Sequence, residues 1–559
     1  MIAGAPLDGG PAPRRWSTGG LVCAVDHLAA SAGAGMLRAG GSAADAAVAT
    51  SAVLAVTSQH MCGMGGDLLA VVSAPGQDPV ALLAVGHAGA GADPARLRSE
   101  GHVSMPFRGD IRTVTVPGCV DGWLSLHERF GRLPLSEVLE PATALAADGF
   151  PVSPTLATSL RLVLDLAGAE DYRDAAGPDG TVAPGSVVRR PGVAAALTAI
   201  AGEGRDGFYG GAFGAGLLNL AEGYFAPGDL ATPTSRWAPA VSSRAWGHDL
   251  WSAPPPSQGY LALASAWMAA HTALPGDPDD PAWPHLLVEA SRQAGYDRLA
   301  VLHEGAPLHY GPDGASPLDP KALSRRLSAI SASRAAPPNL APGEAYADGD
   351  TTAVCSVDRD RMGVSLIQSN AAGFGAHIVV PGVGIFLQNR GIGFSLEPGS
   401  PAEYGPGRRP PHTLSPLVAT DTDGGLRLVA GSMGGDAQPQ ILLQLAARIL
   451  AAGQDPADAV AAARFALSVL LPAGDGARRT GFDTWSAGGH VRVEIEGHAP
   501  PSWSPGLAAL GHEVIEAPAW SGSFGHAHAI SVSPPDGAGR TVLAGGSDPR
   551  ALGGGAVAG

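Results

Sequence analysis

The residues with the plainest chemical potential are Gly349-Asp350-Thr351-Thr352. A threonine hydroxyl is a weak nucleophile until a base takes its proton. At a chain terminus the residue carries its own base, an α-amine whose ordinary pKa of about 7.7–8 suits proton transfer near neutrality. An internal Thr351 lacks that amine, so this chemistry requires a cut between Asp350 and Thr351. Taken alone, the tetrapeptide fits the start of a strand better, because threonine has high β propensity. His526-Ala527-His528 puts two imidazoles on one face of a strand, but no carboxylate at suitable spacing joins them, and a structural role is expected. Cys23, Cys62, Cys119 and Cys355 are far apart and form no CxxC, which argues against a zinc site or a disulfide framework. Cys355 shares a strand face with Thr351 and reads as a core residue. There is no GxSxG elbow, Walker loop or HExxH, so no metal, nucleotide or other cofactor is expected.

The elements that must position these residues are legible in outline. A helical pattern begins near Leu21, and two alanine-rich helices follow, Leu28–Arg38 and Ala43–Val56, separated by Gly40-Gly41. Small residues on every face predict close, buried packing. Leu68–Ser73 and Val80–Val85 read as a strand pair. Helices are expected at Leu124–Phe130, at Leu135–Ala147 with a break at Pro141, at Gly192–Gly202 and at Leu261–Ala270. Pro275–Pro284 reads as a surface loop and Ala335–Asp348 as an exposed, mobile one. Beyond Asp350 come strands at Thr351–Val357, Met362–Ser369, Gly382–Leu387 and Leu426–Val429, then helices over Pro439–Ala451 and Pro456–Phe465. A threonine-led strand after a mobile linker is the main chemical lead.

Composition narrows the class. The 559 residues are 45% hydrophobic and 15% charged, which allows a large core and excludes a disordered chain. A net charge of −16 and a single lysine, Lys321, argue against nucleic-acid partners, which need clustered cations. No apolar run reaches the roughly 18 residues of a membrane span. Arg14 and Arg15 precede an apolar stretch that Asp26 and His27 interrupt, a poor secretory signal, so a cytoplasmic location is expected.

Seven motifs supply the context that the tetrapeptide lacks. In order they are Gly40-Gly-Ser-Ala-Ala-Asp45-Ala-Ala-Val-Ala, Gly63-Met-Gly-Gly66-Asp67, Val116-Pro-Gly118, Pro254-Pro-Pro-Ser-Gln-Gly259, Gly349-Asp-Thr351-Thr, Gly431-Ser-Met-Gly434-Gly435 and Gly546-Ser-Asp-Pro-Arg550. Each is weak by itself. Together they resemble the γ-glutamyltranspeptidase family of N-terminal-nucleophile hydrolases over nearly the whole chain. The resemblance implies an α+β fold of four layers, αββα. It implies self-cleavage into fragments 1–350 and 351–559 that remain associated as one folded unit. Thr351 is then expected to attack the Asp350 carbonyl first and, once terminal, the carbonyl of a small-molecule acyl substrate. Backbone N–H groups of Gly434 and Gly435 are expected to hold the oxyanion.

Departures from the family bear on the substrate. The family binds a γ-glutamyl α-carboxylate through an arginine where this chain has Val85-Gly-His87, and the α-ammonium through an aspartate where Gly393 stands. Its paired serines give way to His412-Thr413. A γ-glutamyl head group thus loses partners at both ends, and unpaired buried charge is costly. The stretches Gln388–Leu396, His412–Pro416 and Met433–Gln440, with Ile367-Gln368-Ser369, resemble a branch that includes oxamate amidohydrolase. That resemblance implies a short amide bearing a carboxylate beside the scissile carbonyl. Arg390 is the expected carboxylate clamp, since guanidinium offers a bidentate fork. Asn389, Gln368, His412, Thr413 and His87 are the further expected pocket contacts. Asp436 and Gln438 either shape the pocket or cap the following helix. The alternatives are a true γ-glutamyltransferase or glutathione hydrolase, a cephalosporin-acylase-like enzyme and, in another class, an unprocessed binding protein.

Overall fold

Apolar strands and alanine-rich helices sort into four layers in the computed structural model, which describes residues 14–221, 223–306, 316–336, 350–472, 478–481 and 491–559. One antiparallel sheet runs in the order Arg15–Ser17, Leu543–Ser547, Ala527–Val532, Leu426–Ser432, Leu417–Thr420, His248–Ser252, Val241–Ala245. The second runs Gly555–Ala558, Leu21–Ala24, Asp350–Val357, Gly363–Ala371, Asp67–Ser73, Val80–Ala84, Ser235–Pro239. Their inner faces meet through residues such as Leu69, Ala353 and Ile367 on one side and Val418, Val429 and Ile530 on the other. Helices His27–Arg38 and Ala43–Thr57 cover the second sheet, and Tyr260–Ala270, Ala282–Ala294 and Gln438–Ala446 cover the first. The architecture is the αββα sandwich.

Local chemistry explains the Ala43–Thr57 helix, which is buried at every position. Its start is a capping box: the Asp45 N–H donates to Ser42 Oγ at 3.2 Å, and the Ser42 N–H donates to Asp45 Oδ2 at 2.8 Å. Small side chains let the neighbouring helix approach until a Cβ on Gly33 would lie 2.2 Å from Thr50 Oγ1.

Several boundaries differ from expectation. Leu21–Ala24 is a strand and not the start of a helix, because four buried residues are too few to reveal a period. Pro141 lies inside an unbroken helix, Leu135–Asp148, forfeiting one backbone hydrogen bond without ending it. Within Gly382–Leu387 only Ile385–Phe386 is a strand, since Gly382 and Gly384 turn the chain at φ 74° and 73°. The helix from Pro456 stops at Ala461, and Phe465 opens a strand. The expected Pro275–Pro284 loop yields to helix at Ala282, where Pro284 sits in the first turn and needs no N–H partner. Most of the Ala335–Asp348 loop, from residue 337 on, lies outside the described residues. Among the described residues no helix is long and apolar enough to cross a membrane.

Candidate active site

Strand alternation decides which side chains reach the space between the sheets. A Cβ on Gly431 would lie 2.9 Å from Ala353 and 3.0 Å from Ile367, so odd-numbered positions of these two strands face the opposite sheet. Even positions face the helices: Ser356 Oγ donates to the Ala43 carbonyl at 2.8 Å, and Gln368 Oε1 accepts from Ser51 Oγ at 2.5 Å. Gln368, expected in the pocket, therefore points away from it. Its neighbour Ser369 takes that place.

The ladder is irregular where it matters. Asp350 pairs with Ala371 and Thr352 with Gln368, so Ser369 and Asn370 both lie opposite Thr351. Such a bulge re-aims side chains. Thr351 Oγ1 donates to Ser369 Oγ at 3.0 Å, and Ser369 Oγ donates to the Asp350 carbonyl at 2.8 Å. The same oxygen accepts the Ala371 N–H at 2.8 Å and Arg390 Nη2 at 3.1 Å. One hydroxyl thus joins Thr351, the peptide carbonyl preceding it and a guanidinium.

Arg390 is buried, 5% exposed, and its other terminal nitrogen donates to Thr413 Oγ1 at 3.1 Å. Among the described residues it forms no ion pair, and its Nε has no hydrogen-bond partner. Burial pulls its pKa down to about 10, against the attraction of Asp67 and Asp436. Asp67 is committed elsewhere. Its Oδ1 accepts the Gly86 and Gly118 N–H groups, each at 3.1 Å, and Gln388 Nε2 at 3.0 Å. Both glycines are required by close approach, because a Cβ would lie 1.5 Å from the Val116 carbonyl or 2.3 Å from that of Ala84. His412 Nε2 donates to Asp67 Oδ2 at 3.1 Å, which leaves Nδ1 as a buried acceptor without a partner among the described residues. Burial, then the charge of Arg390, holds the His412 pKa down to about 4, so the ring is neutral near pH 7.

Two other expected contacts are turned to other tasks. Asn389 Nδ2 donates to the Phe107 carbonyl at 2.8 Å and its Oδ1 accepts the Ala372 N–H at 3.0 Å, so it braces loops. His87 lies against Asp229, 3.7 Å away, in the company of Arg409.

The glycine turn arrives from the other sheet. A Cβ on Gly363 would touch Leu426 and Val429, while Gly431 lies over Ile367, so Leu426–Ser432 runs in the same direction as Gly363–Ala371. The turn after Ser432 therefore emerges at the Ser369 end. Gly434 has φ 141° and Gly435 φ 52°, conformations that a side chain disfavours. Successive carbonyls are tied back: Met433 O by Ser432 Oγ at 2.6 Å, Gly434 O by the Ala437 N–H at 2.9 Å and Gly435 O by Gln258 Nε2 at 2.9 Å. In a planar trans peptide the N–H points opposite to the carbonyl. The first two ties thus aim the Gly434 and Gly435 N–H groups outward, and neither finds an acceptor among the described residues. Asp436 pairs with buried Arg298, and Gln438 Oε1 accepts the Ser415 N–H at 3.0 Å.

Two further clusters of titratable side chains lie among the described residues. His526 and His528 are buried, and desolvation pushes their pKa values down to about 4 and about 3. His285, Glu289 and His512 converge in a way that could hold a metal ion. Yet the two rings meet at 2.7 Å, Ser331 O takes the other nitrogen of His285 at 2.7 Å, and Glu289 receives Arg292 at 3.0 Å and the Ala336 N–H at 3.1 Å. That is a hydrogen-bonded brace with a cation already beside it.

Similarity to known proteins runs along nearly the whole chain. A family model described as Gamma-glutamyltranspeptidase matches residues 29–558. The oxamate amidohydrolase proenzyme of Klebsiella pneumoniae subsp. pneumoniae is 34% identical over 555 residues, covering 96% of this chain and 98% of that one. The glutathione hydrolase-like YwrD proenzyme of Bacillus subtilis is 31% identical over 541 residues, covering 95% and 97%. The solved cephalosporin acylase from Bacillus halodurans superposes with a TM-score of 0.85 at 30% identity, over 100% of this chain and 99% of that one.

Proposed function

The chain belongs to the gamma-glutamyltranspeptidase family of N-terminal-nucleophile enzymes, and from that premise we propose a self-processing amidohydrolase for short acyl donors bearing a carboxylate beside the scissile carbonyl. One observation carries the reading. Arg390 is a buried cation without a carboxylate partner among the described residues, and it shares the Ser369 hydroxyl with Thr351. A desolvated charge of this kind favours an anion strongly. The clamp and the attacking oxygen stand two hydrogen bonds apart, 3.1 and 3.0 Å through one oxygen. An α-oxo acid amide places its carboxylate and carbonyl on adjacent carbons and fits that spacing. A γ-glutamyl donor carries its carboxylate three carbons further off, where His87 replaces the expected arginine, together with an ammonium for which Gly393 provides no anion.

The chemistry follows in two stages. In the precursor, Thr351 Oγ1 attacks the Asp350 carbonyl, which Ser369 polarises; the C–N bond breaks, the amine takes a proton, and water hydrolyses the resulting ester. The freed α-amine then serves as base for Thr351 Oγ1 against the donor carbonyl. Gly434 and Gly435 N–H groups receive the oxyanion and the neutral His412 Nδ1 accepts a donor N–H; the donor C–N bond breaks, the leaving amine takes the proton held by the α-ammonium, and water then hydrolyses the acyl ester to release the acid and restore Thr351. Likeness to a cephalosporin acylase along the full chain supports a second reading, in which Arg390 takes the carboxylate of a longer acyl group.

Two measurements test this. Wild-type protein should run on a denaturing gel as fragments 1–350 and 351–559, and Thr351→Ala as one band; cleavage in that variant removes Thr351 from the mechanism. Processed enzyme should release ammonia from oxamate in preference to p-nitroaniline from γ-glutamyl-p-nitroanilide. Efficient turnover of the latter would overturn the substrate assignment.

A further inference from the structure

Gln258 has no part in the chemistry just described, yet its amide touches both halves of the site. It is fully buried in the Pro254–Gly259 segment, which lies along His412–Leu414 through Gln258 N–H to His412 O at 3.0 Å, His412 N–H to Pro256 O at 2.8 Å and Ser257 Oγ to Leu414 O at 2.7 Å. The two Nε2 protons go to different places: Thr413 O at 3.0 Å and Gly435 O at 2.9 Å. Oε1 accepts Arg298 Nη2 at 3.1 Å, and Arg298 also pairs with Asp436, the residue after Gly435. All three hydrogen-bonding directions of the amide are therefore set by the protein.

The two carbonyls belong to the two functional halves. Thr413 holds Arg390 through its hydroxyl, and Gly435 belongs to the turn that presents the unpartnered N–H groups. We propose that Gln258 is a positioning residue for specificity: a side chain of the 1–350 segment that fixes the spacing between the Arg390 carboxylate clamp and the Gly434–Gly435 turn, and thereby sets the acyl-chain length the enzyme accepts. The proposal rests on the reading of Thr351 and Arg390 given above.

The test uses processed full-length enzyme and a ladder of dicarboxylic monoamides, oxamate, malonamate and succinamate. Gln258→Glu keeps the shape, retains Arg298 as partner and replaces the donor nitrogen with an oxygen that repels both carbonyls. Gln258→Met keeps the volume and removes both donors. For oxamate, whose carboxylate and carbonyl sit on adjacent carbons, a shifted spacing misplaces the scissile carbonyl and kcat/KM should fall by about 10²-fold, while the longer, flexible succinamate should change less than threefold. The ratio between the two donors thus shifts at least tenfold. A role in folding alone would lower all three donors together, so a preserved ratio in either variant overturns the proposal. Should one variant fail to fold, the other decides. Thr351→Ala and Arg390→Met serve as references. If Thr351→Ala still cleaves, or Arg390→Met still turns over oxamate normally, the underlying reading fails; if both behave as expected and only the Gln258 ratio is preserved, this inference alone fails.

Discussion

Under the proposed mechanism, Arg390 and Ser369 divide the work of the site at the scale of single side chains. Arg390→Met removes a buried cation whose two terminal nitrogens rest on hydroxyls. Nothing charged is stranded by the change, so fold and self-cleavage should persist. Loss of a charge-assisted, bidentate contact should raise KM for a short carboxylate donor by about 10²-fold, with a smaller effect on kcat. Arg390→Lys should not rescue it, because an ammonium lacks the fork. Initial rates across donor concentration separate the two parameters. Ser369→Ala acts earlier, since that hydroxyl donates to the Asp350 carbonyl at 2.8 Å. Its loss should slow conversion of precursor to fragments by about 10²-fold, the usual cost of one oxyanion donor. A gel time course with wild-type kinetics in Ser369→Ala would exclude that role. Thr351 and Arg390 were singled out by the surrounding motifs and not by residue type, since a threonine alone reads as the start of a strand. Ser369 was passed over for Gln368, whose longer amide looks the better ligand; only the strand register reveals that the two occupy opposite faces.

Register and turn geometry belong to the elements, and there the sequence was informative where a motif carries a backbone demand. Gly118 of the Pro-Gly turn and Gly434 of the glycine pair are each needed for one stated reason, close approach to Ala84 O in the first case and φ 141° in the second. The alanine-rich helices were legible because small residues on all faces allow only close, buried packing. Short apolar segments were not, as Leu21–Ala24 and Phe465–Pro472 illustrate: four or eight residues fit a helix or a strand about equally well, and pairing partners elsewhere along the chain decide. The bulge opposite Thr351 was equally invisible, since it arises from how two strands end and not from either one. Gly434→Ala tests the turn as a unit. A side chain at φ 141° is strained and would also press within 2.7 Å of Ile441 Cδ1. The turn should relax, swing its N–H groups off the carbonyl and cut kcat by about 10²-fold. Thermal unfolding should move only a few degrees, because the strand and helix flanking the turn remain intact.

Both sheets of the whole molecule draw strands from either side of residue 350. Asp350–Val357 lies between Leu21–Ala24 and Gly363–Ala371, and Leu417–Thr420 pairs with His248–Ser252. Separating the cleaved fragments therefore means unpairing both sheets and opening the core between them, so they should co-elute on size exclusion and part only in denaturant. The same burial sets a response to acid. His60, His412, His526 and His528 are all buried, and desolvation holds their pKa values down to about 3, 4, 4 and 3. In the unfolded chain each titrates near about 6.5. Between that pH and about 4 the unfolded chain binds protons that the folded chain refuses, so stability is complete above the window and declines as pH falls through it. Each ring contributes a slope of up to about 1.4 kcal/mol per pH unit. The Tm of processed enzyme should hold level from pH 8 to 7 and fall steadily below 6.5. Replacing His528 by Gln should flatten the decline, because one of the four proton-binding sites then vanishes from the unfolded state. A Tm independent of pH down to 4.5 would mean that these imidazoles are already protonated in the folded protein, each with a charge partner.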